Sequence, residues 1–323
     1  MAPASSSLVI ATYNWPRALS LVLQSVRVQR TTPTEVIIAD DGSGHDTREL
    51  IESEAASFPV PLRHVWHEDR GFRLGTIRNK AMAAARGEYL LQIDGDMVLH
   101  PEFVVSHLAF ARRRTYVQGS RVMLDEVRTR QALASRTIAM SAISPGIRNR
   151  VNALHLPWLS RLVRGPSDPL RRTRGCNMAF WRDDIIRVNG YNEDIEGWGR
   201  EDSELAARLL QSGIRRRNLK FSAVAWHLHH RMMSQASLSR NHVLFERTMT
   251  AGVTRCERGI DQWLPPAGDT AAGGEQRRRS HDSGRCHRDR RDPGCDHRHL
   301  VANATRDRAT HGADVRSGAP AGS

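Results

Sequence analysis

An α/β fold, with a mostly parallel central sheet flanked by helices, follows from three features of the sequence. Short apolar runs alternate with amphipathic segments from residue 8 to about residue 120. Repeated strand–helix units of this kind build parallel sheets covered on both faces. Acidic residues (Asp40, Asp41, Asp94 and Asp96) fall where the runs end, and such sheets bind ligands at the carboxyl ends of their strands.

Each element has its own justification. Leu8-Val9-Ile10-Ala11 reads as a strand, ending at Thr12-Tyr13-Asn14. Pro16 opens a helix on which Leu19, Val22, Leu23 and Val26 share a face. Val36 to Ala39 is a second strand, closed by Asp40-Asp41-Gly42-Ser43. Thr47 to Ser57 reads as helix, Leu62 to Trp66 as strand, Thr76 to Ala85 as helix and Tyr89 to Ile93 as strand. From Asp125 to Arg174 the sequence is Arg-rich with mixed signals, suited to a lid or an acceptor-side wall. Met178 to Trp181 is again a strand, followed by a short helix from Asp183, a Gly-Tyr-Asn turn and a helix from Glu201 to Ser212 that Gly213 ends. Leu219 to Ala225 reads as the last strand, before Trp226-His227-Leu228-His229-His230.

Composition sets the bounds. With 323 residues, 39% of them hydrophobic, the chain can bury a substantial core. No run approaches the roughly 18 apolar residues of a membrane-spanning helix, and Leu8 to Ala11 is too short for a signal-peptide core. The expected location is therefore cytoplasmic. The net charge of +13 is carried almost wholly by arginine, lysine occurring only at Lys80 and Lys220. That excess reads either as GC-rich coding bias or as a preference for anionic partners. After about Pro266 large apolar residues nearly vanish. We expect one folded domain over 1–265 and disorder over 266–323, with the residue mix of a frameshifted reading of GC-rich DNA. Cys286-His287 and Cys295-Asp296-His297 fit no strong zinc spacing.

The chemistry concentrates in five places. Asp94-Gly95-Asp96 puts two carboxylates at a strand exit, where burial is costly unless a cation meets them. One can bind a divalent ion directly, and the other can act through water or hold a ribose hydroxyl. The plain alternative is an Asp-Gly surface turn. Asp40-Asp41-Gly42-Ser43 is either a capped strand-to-helix turn or a contact for the imide N–H of uracil, with Thr12 and Asn14 beside it. Gly71 to Asn79 enters a helix and can meet phosphate, and Arg78 can contact phosphate or pair with the aspartates. Gly197-Trp198-Gly199-Arg200-Glu201-Asp202 sets an indole, on which a sugar can stack, against a helix start. The helix dipole keeps a carboxylate ionised there, ready to accept a hydroxyl proton. Among His227, His229 and His230, His227 is preferred as the imidazole completing a metal site with Asp96.

In order and spacing these motifs resemble the family 2 glycosyltransferases of the GT-A fold. The Gly-Trp-Gly-Arg-Glu-Asp-Ser-Glu block is similar to that of the galactosyltransferase and chondroitin-polymerase-like branch. The likeness covers residues 7 to about 260. It implies an inverting enzyme that uses a nucleotide sugar, a UDP-sugar above others, with Mn2+ or Mg2+. The acceptor would be a saccharide or a lipid-linked saccharide, in cell-surface polysaccharide synthesis, with peripheral contact to an anionic membrane at the inner face of the plasma membrane. It further implies Asp202 as catalytic base, Thr12, Asn14, Asp40 or Asp41, Arg78 and Asp94 at the donor nucleotide, Trp198 and Glu201 at the acceptor, and Asp96 and His227 at the metal. Arg200 departs from the glycine usual in the galactosyltransferases. Competing readings are a nucleotidyltransferase, which has no need of the Gly-Trp-Gly block, and a non-catalytic carbohydrate-binding module, which has no need of the paired aspartates. No nucleic-acid-binding motif is present.

Overall fold

The computed structural model describes residues 2–163, 165–231 and 233–265. The expected disordered tail, 266–323, lies outside the described residues. In chain order the elements are β1 (Ser6–Thr12), α1 (Pro16–Arg27), β2 (Glu35–Asp40), α2 (His45–Ala55), β3 (Leu62–Trp66), α3 (Leu74–Ala84), β4 (Tyr89–Asp94) and β5 (Met97–Leu99). There follow α4 (Phe103–Phe110), β6 (Thr115–Gly119), β7 (Val122–Leu124), α5 (Glu126–Ser135), β8 (Ile147–Arg148) and β9 (Asn177–Trp181). The remaining elements are α6 (Arg182–Arg187), α7 (Glu201–Gln211), β10 (Arg215–Leu219), β11 (Ala225–His227) and α8 (Leu238–Thr250).

Seven strands form the main sheet in the order β10-β6-β9-β4-β1-β2-β3. Only β9 runs against its neighbours, so the carboxyl ends of the other six strands share one edge. Alternation along β1 explains the two covered faces. Leu8 and Ile10 pack with Leu19, Val22, Leu23 and Val26 of α1. Val9 and Ala11 point the other way, against Ile77 and Ala81 of α3. Each such fully buried Leu, Ile or Val contributes roughly 1.5–3 kcal/mol.

The register places Thr12 beside Asp40 and Ala11 beside Asp94. Past Asp94 the chain turns and enters a second, four-stranded sheet, β5-β11-β7-β8. There Met97 of β5 pairs with His227 of β11. Asp94-Gly95-Asp96 is thus the junction between the two sheets.

The early boundaries agree with the sequence reading to within two residues. The last predicted strand needs correction. The span Leu219 to Ala225 is not one strand: Leu219 ends β10, Ala225 begins β11, and residues 220–224 connect the two. Phe221 and Ala223 have φ of 61° and 45°, which breaks the pleat. The Arg-rich middle holds α5, β8 and two short 3-10 turns, Arg150–Ala153 and Pro157–Leu162. Among the described residues no helix is long and apolar enough to cross a membrane.

Candidate active site

A buried guanidinium organises the centre. Arg78, on α3, is 1% exposed. Its Nη2 donates to Asp94 Oδ1 at 2.7 Å and its Nη1 to Asp202 Oδ1 at 3.0 Å. Asp94 closes β4 and Asp202 opens α7, so one side chain ties the sheet edge to the helix start. Of the two sequence alternatives for Arg78, the geometry therefore has it paired with the aspartates. Asp202 Oδ2 also accepts the Gly175 N–H at 2.6 Å. The Tyr191 hydroxyl lies 3.2 Å from Asp202 Oδ1 and 2.9 Å from Gln92 Oε1. Arg78 and the Gly175 N–H donate to Asp202, and the single Tyr191 proton is shared between Asp202 and Gln92 Oε1, so the carboxylate keeps lone-pair capacity for a hydroxyl proton.

Gly175 has to be glycine. A Cβ there would lie 2.3 Å from Asp202 Oδ1 and 2.7 Å from Arg78 Nη1. In the tryptophan turn Gly197 and Gly199 have φ of 75° and 106°. A Cβ on either would meet Ser237 or Leu238, at the start of α8. The glycines therefore serve both the turn and the seating of α8. Below the turn α7 is fixed by a fully buried pair, Arg208 with Glu204, at 2.6 Å. Thr248 of α8 donates to the same Glu204 at 3.0 Å.

Trp198 is 36% exposed, and Glu201 is buried at 8%. Burial, with the Asp202 charge adding to it, pushes the Glu201 carboxyl up to about 7. Its Oε2 accepts the Gly199 N–H at 3.0 Å. Burial likewise pushes Asp94 up to about 6, with Arg78 opposing.

Asp96 turns away from Arg78 toward two imidazoles. His230 Nε2 lies 3.2 Å from Asp96 Oδ2, and His227 Nε2 lies 3.5 Å from it. Burial opposes ionisation of Asp96, but the His230 hydrogen bond and the charges of both imidazoles hold its carboxyl below the ordinary value. The same hydrogen bond pushes His230 up to about 9, while burial lowers His227. One donor atom from each of the three residues lies within 4.8 Å of the others. Asp96 Oδ1 and His227 Nδ1 are buried without a hydrogen-bond partner. One carboxylate and two imidazoles with an orphaned oxygen fit a divalent cation of the Mn2+ type better than Mg2+, which favours all-oxygen shells. The imidazole beside His227 is therefore His230. His229, the other candidate, is not part of this group, and its backbone N–H donates to Thr129 Oγ1.

On the far strands both carboxylates of the Asp40-Asp41 turn are engaged. Asp40 accepts the Ser43 N–H at 2.8 Å and lies 2.9 Å from His64 Nε2. Asp41 accepts the Arg73 N–H at 3.0 Å and lies 2.7 Å from His67 Nε2. Asn14, at φ 45°, accepts the Gly44 N–H at 2.9 Å and gives its own N–H to Ser43 at 2.8 Å. Thr12 is buried at the end of β1. The nearby Tyr13 is 46% exposed. Sequence reasoning missed His64, His67, Gln92, Gly175 and Tyr191. Only Tyr191 carried a signal, as the middle of a turn read for its shape alone.

Comparison with known proteins bears on this geometry. The family model described as glycosyl transferase family 2 matches residues 7–180. The model described as the N-terminal domain of galactosyltransferase matches residues 163–232. Chondroitin synthase of Escherichia coli is 29% identical over 244 residues, covering 68% of this chain and 34% of that protein. The chain therefore spans about a third of the length of this relative. Two solved structures share the fold. A mannosyltransferase of Pyrobaculum calidifontis, in complex with GDP-Man and Mn2+, has a TM-score of 0.52 at 18% identity, covering 80% of this chain and 66% of that one. GalNAc-T7 with UDP, GalNAc and Mn2+ has a TM-score of 0.55 at 16% identity, covering 76% and 48%.

Proposed function

Because the chain belongs to glycosyl transferase family 2, with residues 7–180 matching the family model, we propose that its domain over 1–265 transfers a sugar from a nucleotide diphosphate with inversion. The observation that carries this reading is the meeting of Asp94 and Asp202 on Arg78, with Asp96, two positions on, facing His227 and His230. The donor lies over the carboxyl ends of β1, β2 and β4. Thr12, Asn14, Asp40 and Asp41 border its base, Asp94 borders its ribose, and Arg78 fixes Asp94 in place.

Asp202 accepts the proton of the acceptor hydroxyl as that oxygen bonds to the anomeric carbon. The bond from that carbon to the diphosphate oxygen breaks on the opposite face, which inverts the centre. Arg78 holds Asp202 in place through the 3.0 Å contact of its Nη1 with Asp202 Oδ1. Trp198 offers its half-open indole to the acceptor ring, and Glu201 shapes the wall beside it. Asp96, His227 and His230 would hold Mn2+ or Mg2+, and such an ion would supply positive charge against a departing diphosphate. The Mn2+ complexes of the two structural relatives support this cofactor. The chondroitin synthase relative supports a role in cell-surface polysaccharide assembly. The arginine excess supports a peripheral position at an anionic inner membrane face.

A screen of UDP-, GDP- and dTDP-sugars for hydrolysis tests the reading. Hydrolysis of one donor that needs Mn2+ and stops with chelator is expected. Neither hydrolysis nor nucleotide binding across the panel overturns it.

One observation favours a second assignment of the base. Glu201, pushed up to about 7, is closer to the operating pH that suits a general base. Comparison of Asp202→Asn with Glu201→Gln separates the two.

A further inference from the structure

Beyond the site just described, the described residues enclose a cavity of about 750 Å³. Its wall carries six cationic side chains, Arg121, Arg171, Arg172, Arg174, Arg216 and Lys220, and no acidic one. None of the six is within 4.0 Å of a carboxylate among the described residues. Arg216 spends its Nη1 on two backbone carbonyls, of Pro169 and Arg171. Arg121 Nε is buried without a partner. Partial burial, then the charges of Arg121 and Arg172, hold the Arg174 guanidinium below its ordinary value. Like charges gathered in a concave wall focus the field on whatever anion enters.

The cavity adjoins the reacting centre. Gly119 closes β6, Leu219 closes β10, and Cys176 precedes β9, so all lie at the sheet edge where Asp94 ends β4. Gly175, between the wall residues Arg174 and Cys176, is the one whose N–H holds Asp202. The cavity lies beyond β4 from the strands that carry Asp40 and Asp41, away from the proposed donor base. The same arginine strap walls a second cavity, of about 590 Å³, reaching Arg200 and Ser203 beside Asp202.

Exposed apolar side chains lie close in sequence to the first cavity's lining residues Val151 and Val163. Val151, which lines the cavity, is 53% exposed, and on the neighbouring 3-10 turn Trp158 and Leu162 are 66% and 70% exposed. Large apolar side chains at this exposure next to a basic cavity suit a ligand with an anionic head and a hydrocarbon tail. Several guanidiniums match phosphate oxygens two at a time, and a single carboxylate would leave most of the charge unmet.

We propose that the acceptor is a lipid-linked glycosyl diphosphate, with its diphosphate among these arginines and its chain leaving over Val151, Trp158 and Leu162. The proposal rests on the transferase reading, and its test is arranged to fail separately. UDP binding with Mn2+ is measured first, and a null there counts against the transferase reading. Inorganic pyrophosphate, octyl diphosphate and octyl glucuronide are then titrated by calorimetry, with the nucleotide half saturated if UDP binds. Octyl diphosphate is expected to bind at least ten-fold tighter than either of the others. Arg172→Glu should weaken both diphosphates at least ten-fold, and Trp158→Ser should remove only the advantage of the octyl chain. Arg86→Glu, just before β4 at the opposite sheet edge, serves as a charge-matched control and should change nothing. With a donor identified, octyl diphosphate-linked glucose should show an acceptor KM at least ten-fold below that of octyl glucoside, and Arg172→Glu should erase the difference. Glucuronide binding as tight as diphosphate, or equal effects of Arg172→Glu and Arg86→Glu, overturns the assignment.

Discussion

Nη1 of Arg78 lies 3.0 Å from Oδ1 of Asp202, across 124 positions of sequence. The same guanidinium reaches Asp94, so the residue that ends β4 and the one that opens α7 cannot move apart without stranding a buried charge. A sheet edge and a helix start, each common alone, become one site through this side chain.

Arg78→Met should therefore cost stability as well as activity. Removing one partner of a buried pair typically costs about 3–5 kcal/mol. The Asp94 side chain is 30% exposed, and water there recovers part of the loss, so about 2–4 kcal/mol is expected in urea unfolding. Arg78→Lys keeps the charge but cannot span both carboxylates, and should fall between. A loss below about 1 kcal/mol for Arg78→Met would show that the bridge carries little of the fold's stability.

The outcome shows what the sequence could and could not disclose. Strands β1, β2 and β4 were legible because each is an apolar run closed by polar residues, and local pattern decides such elements. The connection over 220–224 was not, since its apolar residues sit in a bent segment where φ, not hydropathy, breaks the strand. Asp94, Asp96 and Asp202 were legible as charges at strand and helix ends. Their partners were not. Gln92 reads as an ordinary strand residue and Gly175 as a loop glycine, and only the antiparallel insertion of β9 beside β4 brings Gly175 to Asp202. His230 could not be separated from His229 by spacing, because neither lies in a strand or helix that fixes its direction.

Asp202→Asn should lower transfer by about 10²- to 10⁴-fold, the range for loss of a general base. UDP affinity with Mn2+ should stay within about two-fold if Asp202 has the proposed role toward the acceptor. Glu201→Gln should lower transfer less and raise the acceptor KM. A larger kcat loss in Glu201→Gln than in Asp202→Asn would move the base to Glu201.

At the proposed metal site, Asp96→Ala, His227→Ala and His230→Ala should each weaken Mn2+-dependent nucleotide binding. Groups that merely orient metal ligands are worth roughly 10–100-fold, so direct ligands should cost no less. His229→Ala should leave the Mn2+ titration unchanged. Equal effects of the His229 and His230 variants would remove His230 from the site.

Gly175→Ala tests the crowding directly. The new methyl would meet Asp202 and Arg78, which hold each other and cannot both yield. Overpacking of this kind costs about 1–3 kcal/mol, and it should dislodge Asp202 enough to cut transfer at least as far as Asp202→Asn. Wild-type turnover in this variant would mean that the Gly175 contact is not needed to aim Asp202.

Acid should loosen the fold at His107 of α4. This imidazole is fully buried, with Nε2 2.9 Å from Asn177 Oδ1. Asn177 gives its amide N–H to Ser120, so its oxygen accepts, His107 Nε2 carries the proton, and Nδ1 stays bare in an apolar setting beside Phe103. Burial lowers the group from its ordinary value to about 4. The folded state thus prefers neutral imidazole. The corresponding stability is fully present above an unfolded value near 6.5 and fades as pH falls toward about 4. Between pH 7 and pH 5 the loss from this residue comes to roughly 2 kcal/mol. His107→Gln keeps a donor for Asn177 and cannot titrate, so its stability should fall less over that interval. His100, lowered to about 4 by burial and by His155, adds a loss of the same sign that both proteins keep. Urea unfolding at pH 7 and pH 5 compares the two slopes, and identical slopes would show that protonation of His107 is not what acid does to this fold.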